Sequence, residues 1–234
     1  MSTMETVVLS LGGSVLLRDE GYTSYVRRVA KILIDMSAKY KLYVVTGGGK
    51  IARYYIKAGR DLGADESFLD EMGIEVTRLN ARLLITALGD RACHSPPKDY
   101  DEALHAGKAH SIVVMGGVSP GLTTDAVSAL LAERVKAKRL VNATSVDGAY
   151  TADPKKNPDA KRIPHMTHKE LIGLVGHSTG AGPNNVFDPV GARVLERSKI
   201  SLAIVDGNDL VNLRAALEGK TFRGTLVAPR RRHG

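Results

Sequence analysis

The 234-residue sequence contains no tryptophan, three phenylalanines and a single cysteine, Cys93. One cysteine excludes an intrachain disulfide and argues against a cysteine-based zinc site, so Cys93 is expected as a small core residue. Aromatic residues make up only 5% of the chain and form no RNA-binding signature, which weighs against nucleic-acid recognition. Long apolar runs are also missing, and the first residues lack a basic segment followed by one. Neither membrane insertion nor export is therefore expected, and a cytoplasmic location is. The histidines show no metal-ligand spacing and are expected on the surface or in loops. A Walker-A loop and a Rossmann fingerprint are absent as well: Gly219-Lys220-Thr221 has Arg214 where the Walker pattern needs its first glycine.

What is present is enough apolar material, 43% of residues, to bury a substantial core in one large α/β domain or two tightly joined lobes. The formal charge of +8 points to anionic partners without saying which. Part of it lies in Arg230, Arg231 and Arg232, a basic C-terminal tail expected to be solvated.

Strand-like and helical patterns alternate along the chain. A β-branched run, Thr6 to Leu11, ends in Gly12-Gly13-Ser14, and an amphipathic helix follows to near Tyr40. A second strand, Leu42 to Val45, ends in Thr46-Gly47-Gly48-Gly49-Lys50 and is again followed by a helical pattern. Between Leu69 and Leu83, the positions Leu69, Met72, Val76, Leu79 and Leu83 form one helical seam, flanked by Arg78, Asn80 and Arg82. That seam predicts core packing or a dimer contact. Arg139 to Ala143 reads as a strand, and Asp147-Gly148 as a hairpin turn. The glycine-rich stretch Gly173 to Pro183 reads as a mobile lid. Asp188-Pro189 starts a helix. This alternation implies a three-layer α/β/α fold around a central, mostly parallel sheet, with the glycine turns at Gly12, Gly47 and Gly116 gathered with Thr144 along one edge.

The stretch Met115 to Asp125, Met-Gly-Gly-Val-Ser-Pro-Gly-Leu-Thr-Thr-Asp, sits between an apolar run and a helix. Its backbone N–H groups near a helix N-terminus would suit a phosphate, while Thr123 or Thr124 would cap the helix in an ordinary connection.

Gly-Gly-Ser, Gly-Gly-Gly-Lys, Gly-Leu-Thr-Thr-Asp and Val-Asp-Gly-Ala-Tyr-Thr-Ala-Asp-Pro occur in that order along essentially the whole chain. The combination resembles the amino acid kinase family, and within it the uridylate (UMP) kinases of the archaeal type. The resemblance implies an amino acid kinase-like fold over residues 1–234. A lobe of about 1–140 would bind the phosphoryl acceptor and one of about 141–234 would bind ATP, with Mg²⁺ carried by the ATP rather than held at a dedicated protein site. It implies UMP contacts at Gly48, Asp70, Gly117, Val118, Ser119, Pro120, Gly121, Leu122 and Thr123. The ATP phosphates would lie near Ser10, Leu11, Gly12, Gly13, Ser14, Gly49 and Arg53, and the adenosine near Thr144, Ser145, Tyr150 and Asp153. Asp125 and Asp188 match acidic positions of the catalytic centre. Many members carry lysine where this chain has Ser10, so Arg53, with Lys50 as an alternative, is expected to supply the missing positive charge. The implied assembly is a hexamer built as a trimer of dimers. Alternatives are another small-molecule kinase of the family and a non-catalytic nucleotide- or anion-binding protein on the same scaffold.

Overall fold

The computed structural model describes residues 4–152, 156–176 and 186–229. Within them, seven strands form one sheet: β1 (Glu5–Leu11), β2 (Tyr40–Thr46), β3 (Ile112–Met115), β4 (Arg139–Thr144), β5 (His165–Met166), β6 (Ser201–Asp206) and β7 (Thr225–Val227). Their spatial order is β3-β2-β1-β4-β6-β7-β5. Every neighbouring pair is parallel except β6 and β7, so the expected mostly parallel sheet is what forms.

The strands are near-continuous apolar runs because helices cover both faces. Alternation sorts their side chains. Val7, Leu9, Leu11, Leu42 and Val44 enter one core with α2 (Tyr22–Met36), α4 (Glu66–Leu88) and α9 (Leu210–Leu217). Val8, Tyr43 and Val45 enter the other with α5 (Tyr100–Ala109), α6 (Thr124–Arg134), α7 (His168–Gly176) and α8 (Pro189–Ser198). From β1 the chain steps outward to β2 and β3, then returns to lay β4 on the opposite side of β1. That reversal opens a crevice beyond the C-terminal ends of β1 and β4, the place where open α/β sheets bind ligands.

Two glycine turns pack backbone to backbone at this crevice. The Gly12 N–H donates to Ala143 O, and the Gly47 N–H donates to Leu11 O, each at 2.9 Å. A β-carbon at Gly13 would collide with the Gly47 carbonyl oxygen and the Gly49 nitrogen, and Gly49 itself has φ +63°. Glycine at these positions lets α1 (Gly13–Leu16) and α3 (Gly49–Asp61) begin side by side.

Several local expectations are corrected. The α4 seam is rotated: Leu69 and Val76 are buried, but Leu79 and Leu83 are 62% and 37% exposed. The inward stripe runs instead through Thr77, Asn80, Ala81, Leu84, Ile85 and Leu88. Asp147-Gly148 does not turn a hairpin. Residues 149–151 pair with 161–163, through Thr151 N–H to Lys161 O and Ile163 N–H to Ala149 O, so the turn lies beyond residue 151. Helix α2 stops at Met36 because Tyr40 already opens β2. Cys93 is only partly buried. His168 is buried, its Nε2 2.8 Å from Ile200 O, where a core position replaces the expected surface one. Gly173 and Gly176 belong to α7; residues 177–183 of the expected lid lie outside the described residues, as do Asp153 and the arginine tail.

Candidate active site

At the crevice, β1 delivers Ser10 and the start of α6 delivers Asp125. Ser10 is a buried hydroxyl within the apolar stretch Val7 to Leu11, and it donates to Asp125 Oδ1 at 2.8 Å. Burial pushes the Asp125 carboxyl up to about 6; the Ser10 hydrogen bond opposes that shift and the neighbouring Asp188 carboxylate adds to it.

Thr123 is the N-cap of α6. Its Oγ1 accepts from the Ala126 N–H at 3.2 Å and donates to Asp188 Oδ2 at 2.8 Å. Thr124, the other capping candidate, is already the first helical residue. Asp188 in turn caps α8, its Oδ1 accepting from Val190 and Gly191 N–H at 2.7 and 2.9 Å, with Pro189 preset for the first turn. Two helix N-termini thus meet through one threonine hydroxyl, which ties the Asp188 carboxylate to the start of the helix that carries Asp125.

On one side of these carboxylates lies a cleft of about 220 Å³, walled by Gly48, Gly49, Arg53, Asp70, Gly117, Ser119, Leu122 and Thr124. Asp70 reaches from α4 to accept the Gly121 N–H at 2.7 Å, which holds the loop where Gly121 turns with φ +79°. The N–H of Gly117 is also taken, by Thr77 Oγ1 at 2.6 Å. The stretch Met115 to Asp125 is therefore not an open nest of free donors; part of its backbone is anchored to α4. Gly116 and Gly117 are buried, Val118, Ser119 and Leu122 half-buried, and Pro120 exposed. Arg53 is exposed and donates to Ser14 Oγ at 3.1 Å, bridging the first two glycine turns. Lys50 points away into an exposed ion pair with Asp19, 2.6 Å, so Arg53 is the better placed of the two cations.

On the other side, beyond β4 and β6, a 390 Å³ cleft is lined by Ser145, Asp147, Tyr150, Asp206, Asp209, Asn212 and Arg223. Asp147 organises it, accepting from the Tyr150 hydroxyl at 2.6 Å, Arg223 at 3.0 Å and Arg162 at 3.2 Å. Burial alone would raise the Asp147 carboxyl, but the Tyr150 and Arg223 hydrogen bonds outweigh it and hold the group below the usual range. Thr144 ends β4 at the cleft's edge, where its carbonyl accepts the Gly207 N–H at 2.8 Å.

The sequence pattern did not reveal Thr77 and Asn80 on α4, nor Asp147 and Arg223 in the second cleft. A polar residue on the buried face of a long helix is the signal that would have found the first pair. Among the described residues, no cluster of acidic, histidine or cysteine side chains has the form of a metal site.

A model of the amino acid kinase family matches residues 5–206. A uridylate kinase of Methanospirillum hungatei is 49% identical over 225 residues, covering 96% of this chain and 95% of the relative. The crystal structure of uridylate kinase from Archaeoglobus fulgidus superposes with a TM-score of 0.86 at 43% identity, covering 95% and 99% of the two chains. The UMP kinase structure of Bacillus anthracis, 20% identical over 96% of each chain, shares the fold with a TM-score of 0.79. The matched segment runs from the first residue of β1 to the last of β6 and so includes the smaller cleft, the residues between the two clefts and part of the larger cleft; the chain belongs to the amino acid kinase family.

Proposed function

We propose that this chain transfers the γ-phosphoryl group of ATP to UMP, giving UDP and ADP for pyrimidine nucleotide synthesis in the cytoplasm. The observation that carries the reading is the placement of two clefts on one sheet edge with the Ser10–Asp125 and Thr123–Asp188 pairs between them. Relatives 43–49% identical that bear the name uridylate kinase support the choice of acceptor.

The smaller cleft, in the lobe of about residues 1–140, takes UMP, with Gly48, Asp70 and Gly117 to Thr123 around it. The larger cleft, in the lobe of about 141–234, takes adenosine against Ser145 and Tyr150, near Thr144. The ATP phosphates then lie over Ser10 to Ser14, Gly49 and Arg53. A nucleoside monophosphate is already mostly dianionic at neutral pH, by analogy with other phosphate monoesters, so no strong general base is needed. The main task is to align two anions and neutralise them. Arg53 supplies a fixed positive charge at the two glycine turns, and Asp125 and Asp188 orient cationic groups and water. Mg²⁺ arriving with ATP supplies further neutralisation of phosphate charge, and the paired carboxylates are hard oxygen donors suited to its hydration shell.

The exposed Leu79 and Leu83 on α4, with Tyr54 and Tyr55 on α3, suit burial between subunits and support a dimer as the unit of a hexamer. Light scattering that gives a monomer would overturn that part.

The deciding measurement is ADP release from Mg-ATP with UMP, CMP, N-acetylglutamate and isopentenyl phosphate as acceptors. Turnover with UMP is expected. Tight ATP binding without turnover on any acceptor would instead favour a non-catalytic nucleotide-binding role.

A further inference from the structure

Helix α4 carries two buried polar side chains one turn apart, Thr77 and Asn80, exposed by only 6% and 2%. Neither is needed for helix formation, and burying each has a cost unless it finds a partner. Both partners are glycine turns of the acceptor cleft. Asn80 Nδ2 donates to Gly47 O at 2.7 Å, beyond β2. Thr77 Oγ1 accepts the Gly117 N–H at 2.6 Å, beyond β3, and donates to Ile74 O at 2.6 Å. The hydroxyl's single proton and one lone pair are thereby matched.

The seat is close. A β-carbon at Gly116 would lie 2.5 Å from Thr77 Oγ1 and 2.7 Å from the Arg78 nitrogen, so the helix backbone rests directly on the turn. Thr46, buried at the end of β2, closes the arrangement by donating to Thr77 O at 2.9 Å. Two turns earlier on the same helix, Asp70 holds Gly121 N–H at 2.7 Å. Three α4 side chains therefore set the separation of the Gly47–Gly48 wall from the Gly117–Gly121 wall.

From this we infer that Thr77 and Asn80 are positioning residues for the phosphoryl acceptor, fixing the width of its cleft; Asn80 also braces the Gly47 turn that touches the first glycine turn, whereas Thr77 acts on the acceptor wall at Gly117. The inference rests on the acceptor reading proposed above. Loss of the Thr77 hydroxyl frees the Gly117 peptide to rotate and loosens the acceptor wall, while the Asp147 cleft, built from β4, β6 and α9, stays as it is.

The test compares Thr77→Val, of nearly equal volume, with Thr77→Ser, which keeps the hydroxyl, and with Thr77→Ala, which removes it without crowding. Steady-state kinetics are measured with UMP and ATP varied separately, alongside calorimetric UMP binding and thermal melting. The expected result is a KM for UMP raised about tenfold in the valine and alanine variants, a KM for ATP within about twofold of wild type, and near-wild-type values in the serine variant. A merely structural role would lower the melting temperature and leave the two KM values unchanged or shifted together, which overturns the inference. Wild-type turnover of UMP with unaltered UMP affinity in both hydroxyl-less variants overturns it alone. A wild type that neither binds nor phosphorylates UMP overturns the acceptor reading and this inference together.

Discussion

The Ser10 hydroxyl donates to Asp125 Oδ1 at 2.8 Å across 115 residues of sequence, which makes the first strand of the chain the partner of a carboxylate at the start of α6. That hydrogen bond opposes the effect of burial on the carboxyl.

The first expected outcome concerns pH. Asp125 rises from an ordinary 3.8 to about 6 on folding, chiefly through burial. A carboxyl raised in the native state binds its proton more tightly there than in the unfolded chain. Its contribution to stability is therefore fully present below the unfolded value and is lost as pH rises through the folded one. The loss reaches on the order of 3 kcal/mol above pH 6. Asp125→Asn should flatten urea-unfolding stability between pH 4 and 6 and raise it at pH 7. Ser10→Ala removes the bond that lowers the carboxyl, so the acid limb of kcat/KM should move to higher pH; an unmoved limb would detach Asp125 from catalysis.

A second outcome follows from the touching glycine turns. Gly13 has no space for a β-carbon against Gly47 and Gly49, and both neighbours are backbone that cannot swing aside. Gly13→Ala should cost about 2–3 kcal/mol in chemical denaturation. It should also separate the two turns that Arg53 bridges. Gly21, whose β-carbon would meet nothing, provides the contrast: Gly21→Ala is affected only through its φ of +64°.

Arg53 gives a third. Its side chain is exposed and its hydrogen bond to Ser14 is at the surface, so folding depends little on it. Arg53→Ala should lower kcat by about a hundredfold if it neutralises the transferring phosphoryl group, while thermal stability shifts by no more than about 0.5 kcal/mol. Unchanged turnover would remove it from the mechanism.

Thr123 gives a fourth, because one hydroxyl serves α6 and α8 together. Thr123→Val removes the N-cap and the Asp188 bond, and should cost about 1–2 kcal/mol in thermal unfolding. Thr123→Ser should restore most of that. If the valine and serine variants melt alike, the hydroxyl is not what joins the two helices.

What was legible in the sequence was local. Glycine runs after apolar runs mark turns beyond strand ends, because only glycine lets backbones approach as Gly13 and Gly49 do. Asp188 before Pro189 reads as a helix start because the aspartate satisfies free N–H groups and the proline has none to satisfy. The strand–helix alternation implied a mostly parallel sheet, with its ligand edge at the strand C-termini. Each of these follows from bond geometry within a few residues.

The tertiary structure decided which way those pieces face. The stripe Leu69, Met72, Val76, Leu79, Leu83 and the stripe actually buried both pass through Leu69 and Val76, and helical periodicity alone does not choose between them. The face that turns inward carries Ala81, Leu84, Ile85 and Leu88 into the core and brings Thr77 and Asn80 to an N–H and a carbonyl of the turns beyond β3 and β2. Likewise the Ser10–Asp125 bond depends on β4 being laid beside β1, which opens the crevice that α6 enters. Spacing and bond geometry determined the glycine turns and the helix starts; long-range hydrogen bonding, visible only once the chain is folded, determined which of them meet.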